Sequence, residues 1–229
     1  MGETGSAPPN DPLAMELRGF GPLGILVVLV IVLGSSFFLP LSPLLVLAWA
    51  RRSRTPWSEI GFARQGRWNW VFTVAGGVVL GVLFKLLMKA VVMPLLGADP
   101  INRTYHYLAG NRAAIPFTLF ALIVRAGIGE EIVFRGFLFE RLGQLIGTGA
   151  RAKTAIVLLT AALFAMAHFA DQGLAGAEQA FCTGLLFGTV FAVTRRLWLP
   201  MVLHAAYDLA AYAIIYGDLE IRVAHLVFR

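Results

Sequence analysis

Along this chain the apolar residues come in long blocks, not in the spaced stripe of a soluble amphipathic helix. The blocks are Leu23–Ala50, Trp70–Leu96, Ile115–Leu145, Ala155–Phe169, Gln179–Thr194 and Leu199–Tyr216, separated by polar connections. A helix crossing a hydrocarbon core of ~30 Å needs about 20 apolar residues. The pattern therefore predicts an all-α, polytopic transmembrane helical bundle of about six spans, with up to eight helical segments. The first block is overlong and holds Pro40 and Pro43, which predicts a kink or a break into two pieces. The third would make a helix about 46 Å long, too long for an untilted span. Gly127 and Gly129 are placed for a bend there, and freed backbone at that depth is tolerated only where it lines a cavity.

The polar remainder sets the expected domain plan: residues 1–20 as a disordered polar N-terminus, 21–217 as a single transmembrane domain, and 218–229 as a short tail. The N-terminal stretch is net acidic and contains proline, unlike the basic start of a signal peptide, so it is expected to be retained. Composition agrees with lipid as the solvent: 58% of residues are hydrophobic and 14% charged, with a mean hydropathy of +0.75. The net charge of +6 forms no patch for nucleic acid. It falls in alternate connections: Arg51, Arg52, Arg54, Arg64 and Arg67 against Glu59, then Arg141, Arg151 and Lys153, then Arg195 and Arg196. The other connections carry Asp99, Asp171 and Glu178. The positive-inside rule makes the basic loops cytoplasmic and both termini external; the membrane expected is a bacterial or archaeal cytoplasmic one. Lys85 and Lys89 fit this scheme if they snorkel outward from the second block. Cys182 stands alone, so no disulfide forms within the chain.

Ionisable groups inside a membrane cost about 2.5–3.5 kcal/mol each on insertion scales, and they mark functional sites by default. Here Glu130, Glu131 and Arg135 share one apolar block, His168 ends another, and His204 and Asp208 lie in a third. Glu131 and Arg135 are spaced i, i+4 and can pair on one helical face. Glu130, rotated about 100°, is left free, which is the asymmetry a general base needs. His204 and Asp208 also share a face; such a pair can orient an imidazole, form half a metal site or satisfy a buried histidine. His168 follows Phe164 by one turn. Counted from Lys153 it lies about 22 Å along its helix, whereas His204 lies only about 12 Å beyond Arg196, so the two meet only if the fourth helix starts low or tilts. No serine follows Ser58 and no H-E-x-x-H helix occurs, which removes a Ser–His nucleophile from the later blocks and a zincin helix.

At these residues the chain resembles the CPBP family of intramembrane endopeptidases, also called Abi or CAAX-protease-like. Three motifs in order carry the likeness: Glu130-Glu131-Ile132-Val133-Phe134-Arg135, Phe164-Ala165-Met166-Ala167-His168, and His204-Ala205-Ala206-Tyr207-Asp208. A Trp57…Gly61-Phe62 element precedes them. The resemblance implies hydrolysis of a peptide bond within the membrane, on a membrane-associated peptide or prenyl-like substrate. Glu130 and His168 would activate the water, His204 with residue 208 would stabilise the oxyanion, and Glu131, Arg135 and Phe164 would support them. Position 208 is Asp where Asn is common, and an ionised Asp cannot donate to an oxyanion. Two arrangements stay open: metal-free catalysis, or a divalent metal such as zinc held by His168, His204 and Asp208. The alternative from another functional class is a non-catalytic protein of the same fold, acting in immunity, as a chaperone or as a transporter-like subunit. Transport is disfavoured because the two halves show no inverted repeat.

Overall fold

The computed structural model describes residues 11–37, 41–63 and 67–228. Its regular elements are all helical: α1 (Pro12–Arg18), α2 (Pro22–Phe37), α3 (Leu41–Arg52), α4 (Arg67–Leu87) and α5 (Met93–Leu95), then α6 (Ile115–Phe120), α7 (Leu138–Ile146), α8 (Ala150–Thr194), α9 (Trp198–Tyr216) and α10 (Glu220–Ala224). The protein is an all-α membrane bundle. The first apolar block does divide, into α2 and α3, which pack on each other. Pro40 lies outside the described residues.

Among the described residues, three helical stretches are long and apolar enough to span a membrane: Asn69–Leu95, Ala150–Thr194 and Trp198–Tyr216. A fourth arises if the bent pair Pro12–Arg18 and Pro22–Gly34 counts as one. This is fewer than the six expected, for two physical reasons. The third block is not one α-helix: π-helical stretches Ala121–Glu130 and Ile132–Phe137 join α6 to α7, and six charged residues fall between Arg125 and Arg141. The fourth and fifth blocks run together as α8, which turns at Gly173 (φ 63°, ψ −161°). That backbone conformation lies outside the regions open to residues with a Cβ. Positions equally far from this turn then meet. A Cβ on Gly184 would stand 2.9 Å from Ala161 Cα, and one on Gly188 would stand 3.3 Å from Val157. The two arms of α8 therefore lie side by side.

Small residues also let α4 and α9 approach closely: a Cβ on Gly81 would lie 2.4 Å from the Leu203 carbonyl oxygen. The main apolar core gathers Ile31, Val46, Trp49, Ile60, Phe137, Phe164, Phe191 and Leu197 from α2, α3, the 53–63 connection, the π-helical region, α8 and the residue that caps α9. The Trp57…Phe62 element packs here too. Phe62 meets Trp57 and Trp198 edge-on at 6.2 and 5.3 Å, and Gly61 O accepts from Leu197 N–H at 3.0 Å.

Both ends of the described chain are more ordered than their polarity suggests. Residues 1–10 lie outside the described residues, but residues 12–18, expected to be disordered, form α1. It is capped by Asp11, which accepts from Ala14 N–H at 3.3 Å. Arg141 donates to the Arg18 and Gly19 carbonyls at 2.7 and 2.8 Å, satisfying the helix end. The expected tail contains α10, whose Glu220 is 1% exposed. Glu220 accepts from Asn102 N–H at 2.7 Å, pairs with His106 Nδ1 at 2.9 Å and lies 3.5 Å from Lys89. It thereby pins the 97–111 connection against the bundle.

Candidate active site

The π-helical region presents Glu130 and Glu131 to different surroundings. Stretches of this wide helix are uncommon and occur mostly at functional sites. No break occurs at Gly127 and Gly129; instead, the chain turns continuously and Gly127 lets α9 approach, with Ala205 only 2.8 Å from where its Cβ would be. Glu131 is fully buried. Its Oε1 accepts from Arg135 Nη1 at 2.7 Å and from His204 Nδ1 at 2.8 Å. Arg135, also fully buried, donates to the Gly184 carbonyl at 3.3 Å and lies over the rings of Phe164 and Phe187 at 4.9 and 5.4 Å. It joins the π-helical region to both arms of α8.

Glu130 differs. Both carboxylates leave Oε2 buried without a partner, but Glu130 has no hydrogen bond at all among the described residues, and the nearest imidazole nitrogen is His204 Nε2 at 3.9 Å. Orphaned buried carboxylate oxygens are rare in native structures and need an explanation. On α9, His204 is 4% exposed, with Phe187 at 4.8 Å and Phe164 at 6.0 Å between ring centroids. Asp208 Oδ2 lies 3.4 Å from His204 Nε2. The sequence spacing pairs Asp208 with His204, but the carboxylate that bonds and orients the ring is Glu131, 73 residues away in sequence.

On α8, His168 Nδ1 donates to the Phe164 carbonyl at 2.9 Å, which leaves Nε2 open. Its ring lies 4.4 Å from Phe164, so Phe164 touches both imidazoles. The depth mismatch between His168 and His204 disappears in three dimensions: Glu130, His168, His204 and Asp208 line one cavity of about 320 Å³. Lys85, Gln179, Arg125 and Tyr105, which the sequence motifs did not single out, line it too. Lys85 and Lys89 do not snorkel: their side chains are mostly buried, against Gln179 and Glu220 respectively. A lysine inside an apolar block was the available signal, since such a residue faces a partner or a wet cavity.

The donors do not fit a metal ion. Among the described residues no group of three or more His, Cys, Asp or Glu side chains stands together in a way that could hold one. The set His168, His204 and Asp208 is therefore not assembled as a three-ligand site.

The three motifs fall inside residues 112–210, which match the family described as type II CAAX prenyl endopeptidase Rce1-like. The match covers 99 of the chain's 229 residues. The chain is also similar to the membrane-embedded CAAX protease MroQ of Staphylococcus aureus (strain USA300), 24% identical over 151 residues, covering 65% of this chain and 53% of the relative. The chain thus spans about half the length of the curated relative it matches. No solved structure matches. Within the matched region the geometry assembles two adjacent carboxylates with different partners and two imidazoles flanking one phenylalanine.

Proposed function

We propose that this protein is an intramembrane endopeptidase that hydrolyses a peptide bond in a membrane-associated substrate. The observation that carries the reading is that Glu130, buried beside His204 in a cavity that His168 shares, has no hydrogen bond to either oxygen among the described residues. Glu131, by contrast, is held through Oε1 by Arg135 and His204. An unpaired carboxylate in hydrogen-bond reach of cavity water is suited to take a proton.

In the proposed reaction, water sits between Glu130 and the open Nε2 of His168, whose tautomer is set by the Phe164 carbonyl. Glu130 takes a proton as the water oxygen attacks the peptide carbonyl. His204, anchored by Nδ1–H on Glu131, offers Nε2–H to the developing oxyanion when doubly protonated. Glu131 and Arg135 position it, and the proton held by Glu130 then passes to the leaving amine. No step runs through a metal. The apolar wall, including Phe117, Leu122, Phe134 and Ile215, suits an apolar peptide or a prenyl group, in line with the family's description. The basic loops are proposed to face the cytoplasm.

The test is mapping of new N-termini after the purified protein is incubated with membrane proteins, against a Glu130→Gln control. Loss of a general base costs about 10²–10⁴-fold in rate, and an orphaned group leaves folding intact when its charge is removed. Wild-type turnover by folded Glu130→Gln would refute the assignment.

A further inference from the structure

One wall of the catalytic cavity is not a spanning helix but the segment from Gly97 to Gly110. Its Asn102, Tyr105, Tyr107 and Leu108 line that cavity, while Asp99, Ile101, Asn102 and Thr104 line a second cavity of about 220 Å³. The segment is folded on itself. Asp99 accepts from Ile101 N–H at 2.9 Å and from Arg103 Nε at 2.8 Å, and Asn102 Oδ1 accepts from Tyr105 N–H at 3.2 Å. Its hold on the bundle is light, because Leu108, 6% exposed, is its one buried residue. Among the described residues, the hydrogen bonds and ion pairs that tie residues 99–108 to the helices run to two side chains. Glu220 of α10 accepts from Asn102 N–H at 2.7 Å and pairs with His106 Nδ1 at 2.9 Å. Lys89, itself 3.5 Å from Glu220, donates to the Pro100 carbonyl. The Arg103 side chain, 86% exposed, marks the face that meets water.

Segments with few buried apolar contacts and few ties open locally at low cost. The ends of this one suit a hinge. Gly97 (φ 76°) and Gly110 (φ 63°) both lie in the left-handed region that glycine enters freely, and no atom stands within 4 Å of where either Cβ would be. We propose that the segment from Gly97 to Gly110 is a hinged lid between the catalytic cavity and water, latched shut by Glu220 of α10. The proposal takes its purpose from the endopeptidase reading. Hydrolysis of a peptide bond consumes one water and leaves a carboxylate and an ammonium, and charged ends do not leave readily through lipid. A lid that opens to water admits the reactant and releases these ends, and closing it shields the site during the reaction. Lid and latch both lie outside the matched residues 112–210, so the device belongs to this chain's flanking segments.

The test reads access to the cavity and needs no substrate, so it is independent of the peptidase assignment. In a Cys182→Ala background, Ala126→Cys places a single thiol in the cavity wall. The full-length protein is held in lipid nanodiscs, where a charged methanethiosulfonate reaches that thiol only from water. Labelling should be slow in this parent and about 10- to 100-fold faster when Glu220→Ala is added, the range expected for lost hydrogen bonds to a charged group. His106→Ala should accelerate it too, whereas His106→Gln, whose amide can still donate to Glu220, should stay close to the parent. A second reporter, Ala50→Cys, sits in the core at 1% exposed and should stay unlabelled throughout. Equal rates in the parent and in Glu220→Ala would overturn the proposal. So would a parent that reacts as fast as the denatured protein, or a His106→Gln variant as fast as His106→Ala. If Glu220→Ala also exposes Ala50→Cys, His106→Ala decides alone, and no acceleration there overturns the lid. Faster labelling in the latch variants, with no cleavage by the wild-type protein, would support the lid and count against the peptidase.

Discussion

Replacing Arg135 by Ala should damage the bundle more than any change to Glu130. Arg135 and Glu131 are both fully buried and 2.7 Å apart. Arg135 also reaches the Gly184 carbonyl at 3.3 Å, and its guanidinium lies over the rings of Phe164 and Phe187. Removing it strips Glu131 of its cation and leaves a buried carboxylate held only by His204, which typically costs about 3–5 kcal/mol. For a chain of this size each kcal/mol moves the melting midpoint by about 2–4 °C, so a fall of roughly 6–20 °C is expected. Glu130→Gln removes no hydrogen bond and should leave the midpoint within about 2 °C on the same scale. Cys182 is the single cysteine, so a thiol-reactive dye followed on heating in detergent reports unfolding at one site. The double variant Arg135→Met/Glu131→Gln should recover much of the loss, because it removes both charges at once. Equal midpoints for Arg135→Ala and Glu130→Gln, or no recovery in the double variant, would refute the argument that this ion pair braces the site.

Asp208→Asn should keep activity within about threefold, because an amide at 3.4 Å from His204 Nε2 can itself donate to an oxyanion; joint loss of activity and of stoichiometric zinc would show that a metal is needed. Burial of Glu220 opposes its ionisation, but hydrogen bonds from Asn102 N–H and His106 and the nearby Lys89 charge outweigh it and hold its carboxyl below the usual range. Its contribution to stability is therefore complete above the ordinary carboxylate pKa of about 4.3 and is lost as pH falls through the lower folded value. Melting curves at pH 3–6 should lose part of their acid dependence in Glu220→Gln, and identical curves would show that the α10 clamp adds nothing. A cysteine at position 59, in a Cys182→Ala background, should be shielded from an impermeant reagent in intact cells; labelling there would reverse the proposed orientation.

The sequence by itself determined what depends on local spacing and on transfer to lipid. Long apolar blocks specify helices in a membrane because the backbone has no other partner there. The i, i+4 separation of Glu131 and Arg135 specifies their contact because helix geometry alone brings them together, and it leaves Glu130 the odd carboxylate. Only the tertiary structure decided the rest. The bond from His204 to Glu131 spans 73 residues, and no periodicity encodes which of two adjacent carboxylates an imidazole on another helix will meet. His168 and His204 seemed mismatched in depth because residue counts along straight helices ignore where each helix begins and how it tilts. The ends misled for a related reason. Polar segments read as loose when their partners are out of view, and the partners of α1 and α10 are Arg141, Asn102, His106 and Lys89, far away in sequence. The cavity wall at Lys85 belongs to the same class: a lysine in an apolar block announces a polar neighbour, and the packing of α4 against α8 and α9 determines which one.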